Sequence, residues 1–144
     1  MQKLKHYCGY QERCHSEVRE KLYQLGVWKK DHDEITAALI EQGYLNEERF
    51  AIAFAGGRFR QKEWGRIKIK YELKQKQVSD YSIKKALKQI NEEEYSKVLK
   101  KLAEEKYAAL KNEQWMVRKK KTMDYLMQRG FEGELVKRLL EKNK

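Results

Sequence analysis

Residues 73–87 read Leu73-Lys74-Gln75-Lys76-Gln77-Val78-Ser79-Asp80-Tyr81-Ser82-Ile83-Lys84-Lys85-Ala86-Leu87. Ile83, Ala86 and Leu87 share one helical face, and Ser79 or Ser82 can open that helix. Upstream, Ile69 and Leu73 are four residues apart, the spacing of a second helix. The same skeleton occurs in two other places. Leu22, Leu73 and Leu126 are each followed five residues on by an apolar side chain: Val27, Val78 or Phe131. A second step of five leads from Val78 to Ile83 and from Phe131 to Val136. The first copy takes eight residues to reach Ile35. A Leu then follows four residues on, at Leu39, Leu87 and Leu140. The copies are 51 and then 53 residues apart, and a unit of that size must share its core with neighbours.

The segments between these anchors are helical too. Val18, Leu22 and Leu25 form a stripe that Gly26 can stop. Asp31 and Glu34 have capping-box spacing ahead of Ile35, Ala38 and Leu39, and Gly43 ends that stripe. Asn46 can cap a helix with Phe50, Ala53 and Phe54 on its buried side, and Asn46-Glu47-Glu48-Arg49-Phe50 parallels Asn91-Glu92-Glu93-Glu94-Tyr95. Gly56-Gly57 inside that helix predicts a kink or a close helix crossing. Trp28 and Trp115 read as packing residues, and Tyr44, Tyr95 and Tyr107 as helix-interface residues. No strand alternation is found, and the chain has no Pro. The expected fold is all-α: tandem repeats of three-helix units, elongated and curved. A short arm (1–14) precedes a first repeat (15–62), a second (63–111) and a truncated third (112–144).

The 144 residues carry 33 Lys plus Arg against 22 Asp plus Glu, a formal +11, and aromatic residues make up 11%. The excess is local. Residues 1–45 hold 7 basic and 7 acidic side chains, whereas 46–91 hold 12 and 5, and 112–144 hold 9 and 5. Arg58, Arg60, Lys62, Arg66, Lys68, Lys70, Lys74 and Lys76 fall within 19 residues, with Trp64 among them. Arg66, Lys70 and Lys74 are i,i+4 neighbours whose like charges repel on a bare helix face. Arg118-Lys119-Lys120-Lys121 forms a second cluster. Phosphate neutralisation is the functional reading of both, and a solvated face is the alternative. Trp64 either stacks on a base or seals a junction between units.

Other chemistry leaves no mark. Cys8, Cys14, His6 and His15 lack zinc spacing, two Cys make no disulfide framework, and no metal or cofactor is expected. A Gly-rich loop followed by Lys and Ser or Thr is absent, as is a Ser-His-acid set, so no catalytic residue is expected. His32 reads as a turn residue. No run approaches eighteen apolar residues, and the start has no apolar segment with a small-residue cleavage site, which predicts a cytoplasmic protein without a membrane partner.

Gly43-Tyr44-Leu45-Asn46-Glu47-Glu48-Arg49-Phe50-Ala51 resembles the G-Y-L-[DN]-[DE]-x-R-F-A signature of the RecX family of bacterial recombination regulators. Arg58, Arg60, Lys62, Gly65 and Ile69 follow in the manner of that family's basic and Gly-x-x-x-Ile pattern. Leu73, Lys76 and Val78 take the places of its L-x-x-K-G-[IV] element, with Gln77 where the family has Gly. The resemblance covers roughly residues 15–140. It implies an all-helical repeat protein, acting as a monomer, that binds RecA–DNA filaments and inhibits strand exchange, ATP hydrolysis and co-protease action, with direct contact to single-stranded and also double-stranded DNA. By resemblance, Arg58, Arg60, Lys62, Arg66, Lys70 and Lys74 are the contact surface. Trp64 and Arg118, Lys119, Lys120 and Lys121 join them on charge and aromaticity. Two other classes fit the residues: a helix-turn-helix transcription factor, which predicts a preferred duplex and dimer symmetry, and a helical repeat that only binds protein.

Overall fold

The computed structural model describes residues 1–142. Among them are nine α-helices and no strand: α1 (Gln2–Tyr10), α2 (His15–Gln24), α3 (His32–Glu41), α4 (Glu47–Lys62), α5 (Arg66–Gln75), α6 (Asp80–Lys88), α7 (Glu92–Ala109), α8 (Trp115–Gln128) and α9 (Gly133–Lys142). A 3-10 turn, Lys29–Asp31, precedes α3. No described helix is long and apolar enough to cross a membrane.

The three repeated anchors are three copies of one turn. Val27 N–H donates to the Leu22 carbonyl at 3.0 Å, Val78 to Leu73 at 3.1 Å and Phe131 to Leu126 at 3.1 Å. This six-to-one bond ends α2, α5 and α8, and it requires a left-handed residue just before the apolar one. Gly26 (φ 75°) and Gly130 (φ 96°) supply it, but Gln77 supplies it at φ 63° with a full side chain. The constant interval from Leu to apolar residue is thus the length of a helix-ending turn. Asn46 and Asn91 accept from the N–H groups of Arg49 (2.9 Å) and Glu94 (3.0 Å), and Ser79 accepts from Ser82 (3.3 Å), as their caps require. Asp31 does not cap: it sits in the 3-10 turn and its side chain makes no cap bond.

The described chain divides into two compact units. The first comprises residues 1–55 and 72–87, the second 56–71 and 88–142, so the boundaries fall inside α4 and α5. In unit one, Leu4 and Cys8 of α1 are buried with Val18, Leu22, Leu39 and Leu45. The stretch expected as an arm is therefore a helix that contributes to the core. In unit two the core is Phe59, Ile69, Tyr95, Leu99, Leu102, Leu126, Phe131 and Val136, all buried. The Tyr95 ring lies between those of Phe59 (5.7 Å) and Phe131 (5.3 Å).

Some expected packing residues are outside. Trp28 and Trp115 are exposed, as is Tyr44, whereas Tyr95 is buried. On α4, Phe50, Ala51, Ala55 and Phe59 are buried, while Ala53 faces out. Gly56-Gly57 makes no close helix crossing. A Cβ at Gly56 would first meet the Arg60 guanidinium of the same helix, at 2.8 Å, and one at Gly57 would meet nothing within 4 Å. His32 is buried, with Nε2 3.0 Å from the Val27 carbonyl and its ring edge-on to Tyr23.

Candidate nucleic-acid interface

Unit two contains the corner between α4 and α5. Helix α4 ends where Glu63 turns left-handed (φ 55°), with Trp64 N–H reaching back to the Arg58 carbonyl at 3.3 Å. A helix start leaves N–H groups without partners, and a helix end leaves carbonyls. Here the two shortages cancel. Gly65 N–H donates to the Arg129 carbonyl at 2.7 Å and Ile67 N–H to Gly130 at 2.9 Å. Arg66 N–H donates to the Tyr95 hydroxyl at 3.0 Å. The positive start of α5 thus meets the negative end of α8, which is a favourable dipole arrangement. The backbones touch: a Cβ at Gly65 would lie 2.3 Å from the Gly130 carbonyl carbon, and one at Gly130 2.4 Å from the Lys68 Cβ. Since its first N–H groups are occupied, the start of α5 is no anion site.

Arg66, expected from its spacing to be an outward cation, is held inside this joint. Its guanidinium donates to Glu92 at 2.5 Å and Glu132 at 2.7 Å and lies over the Tyr95 ring at 3.8 Å; its side chain is 18% exposed. Burial opposes its charge, but the bonds to Glu92 and Glu132 outweigh that and raise its pKa above the ordinary value. Tyr95 donates to Glu132, and burial together with that bond pushes its phenol above its usual range. Arg129 serves the joint too, donating to the Lys62 carbonyl at 2.5 Å. Lys101 reaches Glu63 at 3.1 Å.

The rest of the corner's charge gathers round Trp64. Its half-buried indole has the Lys68 ammonium 4.6 Å from its ring centroid, the Arg58 guanidinium at 5.6 Å and the Lys62 ammonium at 6.0 Å. A half-exposed aromatic ring with three cations about it suits a strand of nucleic acid, which offers bases to stack and phosphates to neutralise. Lys70 is exposed on α5, and Arg60 is exposed on α4 with its guanidinium beside Gly56. Lys74 belongs to unit one, where its ammonium is 3.7 Å from Asp80 and both are exposed.

The second cluster is largely engaged elsewhere. Arg118 stacks over Tyr107 at 3.7 Å and donates to that residue's carbonyl at 2.6 Å. Lys120 pairs with Asp124 at 3.2 Å and Lys121 with Glu113 at 2.8 Å. Lys119 lies 5.6 Å from the Trp115 ring. Lys68 was visible in the basic run but not distinguished within it. Arg129 and Glu132 gave no signal at all, because they join the corner only through the α8–α9 turn. Among the described residues, no group of three His, Cys, Asp or Glu could hold a metal ion.

Residues 46–87 match the family model for the second three-helix domain of RecX, and residues 92–140 match the model for the third. The regulatory protein RecX of Prosthecochloris aestuarii is 31% identical over 140 residues, covering 94% of this chain and 87% of that one. The chain belongs to the RecX family. A second RecX relative, from Chlorobium limicola, is 30% identical over 127 residues, 87% of this chain and 78% of its own. The RecX fold matches as well. A crystal structure of regulatory protein RecX superposes with a TM-score of 0.88 at 22% identity, over 99% of this chain and 70% of that one. RecX from Lactobacillus salivarius gives 0.88 at 21%, over 98% and 92%. Both RecX domain models open on a long helix, α4 or α7.

Proposed function

We propose that this RecX-family chain is a non-catalytic, cytoplasmic regulator that acts as a monomer on RecA–DNA filaments, restraining strand exchange, ATP hydrolysis and co-protease action. The observation that carries the nucleic-acid half is the Trp64 ring with Lys68, Arg58 and Lys62 about it. Lys70 and Arg60 are further exposed cations on α5 and α4, while Arg66 is held by Glu92 and Glu132. Side chains of this kind position a protein on a strand without reading its sequence, so base preference is weak. The RecA half rests on family membership.

Titration of a labelled single strand at rising salt tests the reading. Contacts from Arg58, Lys62, Lys68 and Lys70 predict a log–log slope of about −3, and Lys68→Glu makes it shallower by about one. Trp64→Ala weakens binding about tenfold, given roughly 1–3 kcal/mol per stacked base. A flat slope contradicts phosphate contact. A strong preference for one duplex, with recombinase ATPase unchanged, points to the helix-turn-helix factor instead.

A further inference from the structure

Helix α8 opens on three consecutive apolar side chains that its unit leaves outside. Trp115 is 50% exposed, Met116 67% and Val117 38%. Single exposed apolar residues are ordinary, but Trp115 and Met116 stand together at the edge of a depression, and such a patch marks an interaction surface. On one side Trp115 and Lys119 line a cavity of about 280 Å³ with Ala103, Tyr107 and Ala108, and Glu104 is the one carboxylate in its wall. On the other side Trp115, Met116, Lys119, Lys120 and Met123 line a second, of about 260 Å³. Trp115 and Lys119 are common to both.

Cations outnumber carboxylates in the walls of the two depressions: Arg118, Lys119 and Lys120 stand against Glu104. The second depression has two lysines in its wall and no carboxylate. The first turn of α8 contains no acidic residue, and Gln114 gives it no side-chain cap. The positive end of the helix therefore adds to Lys119 and Lys120. The exposed Lys120–Asp124 pair is of the kind that contributes little and yields readily to a better partner. A strand of nucleic acid would use the lysines but leave Met116 and Met123 poorly covered. Flexible Met side chains beside an exposed Trp suit the apolar face of a helix set in a groove.

We propose that the start of α8 docks an acidic amphipathic helical segment of a partner protein. Its apolar anchors, a turn apart, fill the two depressions flanking Trp115, and its carboxylates face Lys119 and Lys120. This inference does not rest on the recombinase reading, and it leaves the Trp64 corner to nucleic acid.

The test uses the full chain and two labelled synthetic helical peptides with the same Leu and Phe anchors, one flanked by Glu and one by Lys. Fluorescence anisotropy is expected to favour the Glu peptide by about tenfold or more. Met116→Ser, at an exposed position, is expected to weaken it about tenfold while single-strand binding stays within about twofold. Lys119→Glu shifts the preference toward the Lys peptide. Unchanged helical circular dichroism checks the fold of each variant. The proposal is overturned if the Glu peptide does not bind, if both peptides bind equally, or if Met116→Ser has no effect. It is also overturned if phosphatidylglycerol–phosphatidylcholine vesicles, a single-stranded oligonucleotide or a second copy of the chain, read by sedimentation, needs Met116 and the Glu peptide does not compete.

Discussion

The turns at Gln77 and Gly130 have the same hydrogen bonds and the same left-handed residue, yet they do different work. Gln77 is exposed, and its side chain accepts from Arg19 at 3.4 Å. Gly130 is buried against the backbone of Lys68 and accepts from Ile67 N–H. One turn closes a helix. The other is a joint that sets where α5 begins and therefore where Trp64 and Lys68 stand. A repeated motif thus fixes the shape of a turn, while its surroundings decide which residue the turn tolerates.

The sharpest way to break the contrast is Gly130→Ala or Gly65→Ala. Each puts a Cβ within 2.4 Å of neighbouring atoms, and backbone must move. A loss of about 3 kcal/mol or more is expected in urea unfolding, in the range of strained or overpacked cores. Single-strand binding should fall with it, since the corner loses its anchor. Next comes Arg66→Ala, which takes a partner from Glu132 and from Glu92 and uncovers the Tyr95 ring, while the backbone N–H stays on the Tyr95 hydroxyl. About 2–3 kcal/mol is the scale for breaking such a partly buried network. The salt slope of DNA binding should not change. Unchanged stability with a shallower slope would make Arg66 a phosphate contact after all.

Alkaline pH separates the two units. Burial raises the Cys8 and Cys14 thiols of unit one above their ordinary 9.0, and burial with the Glu132 bond raises Tyr95 of unit two above 10.0. In each case the folded state favours the neutral form. The stabilisation is complete below the unfolded pKa and is lost as pH rises past it. Urea midpoints should therefore hold to about pH 8 and then decline, first from the thiols and later from Tyr95. Gln77→Gly is the smallest effect. Relief of the left-handed backbone outweighs the added freedom of the unfolded chain, for a gain of about 0.5 kcal/mol. A loss on Gln77→Gly would mean that the Arg19 contact matters more than the backbone.

Most of the helical fold was legible because its signals are local. The Leu-to-apolar interval is a turn length, Asn46 and Asn91 cap as their positions demand, and Ile69 and Leu73 are buried where their spacing puts them. Helix α1 was not legible, because Leu4 and Cys8 alone make too short a stripe until unit one supplies its core. A tandem pattern also has no natural starting point, so its period is plain while its phase is not. The site was legible as charge and illegible as geometry. The sequence places Arg66, Lys68 and Lys70 in one run; Glu92 of α7 and Glu132 of the α8–α9 turn, 66 residues on, hold Arg66 inward, and Lys68 is left beside Trp64. Trp115 reads as a packing residue by its type alone, and the fold leaves it outside with Met116 and Val117.

The most direct test is RecA ATPase on single-stranded DNA, with this chain, with its Trp64→Ala, Lys68→Glu double variant, or with neither. A filament regulator working through the α4–α5 corner predicts that the chain suppresses turnover and that the folded double variant does so much less. Turnover unaffected by the chain, at concentrations where it binds the strand alone, would contradict it.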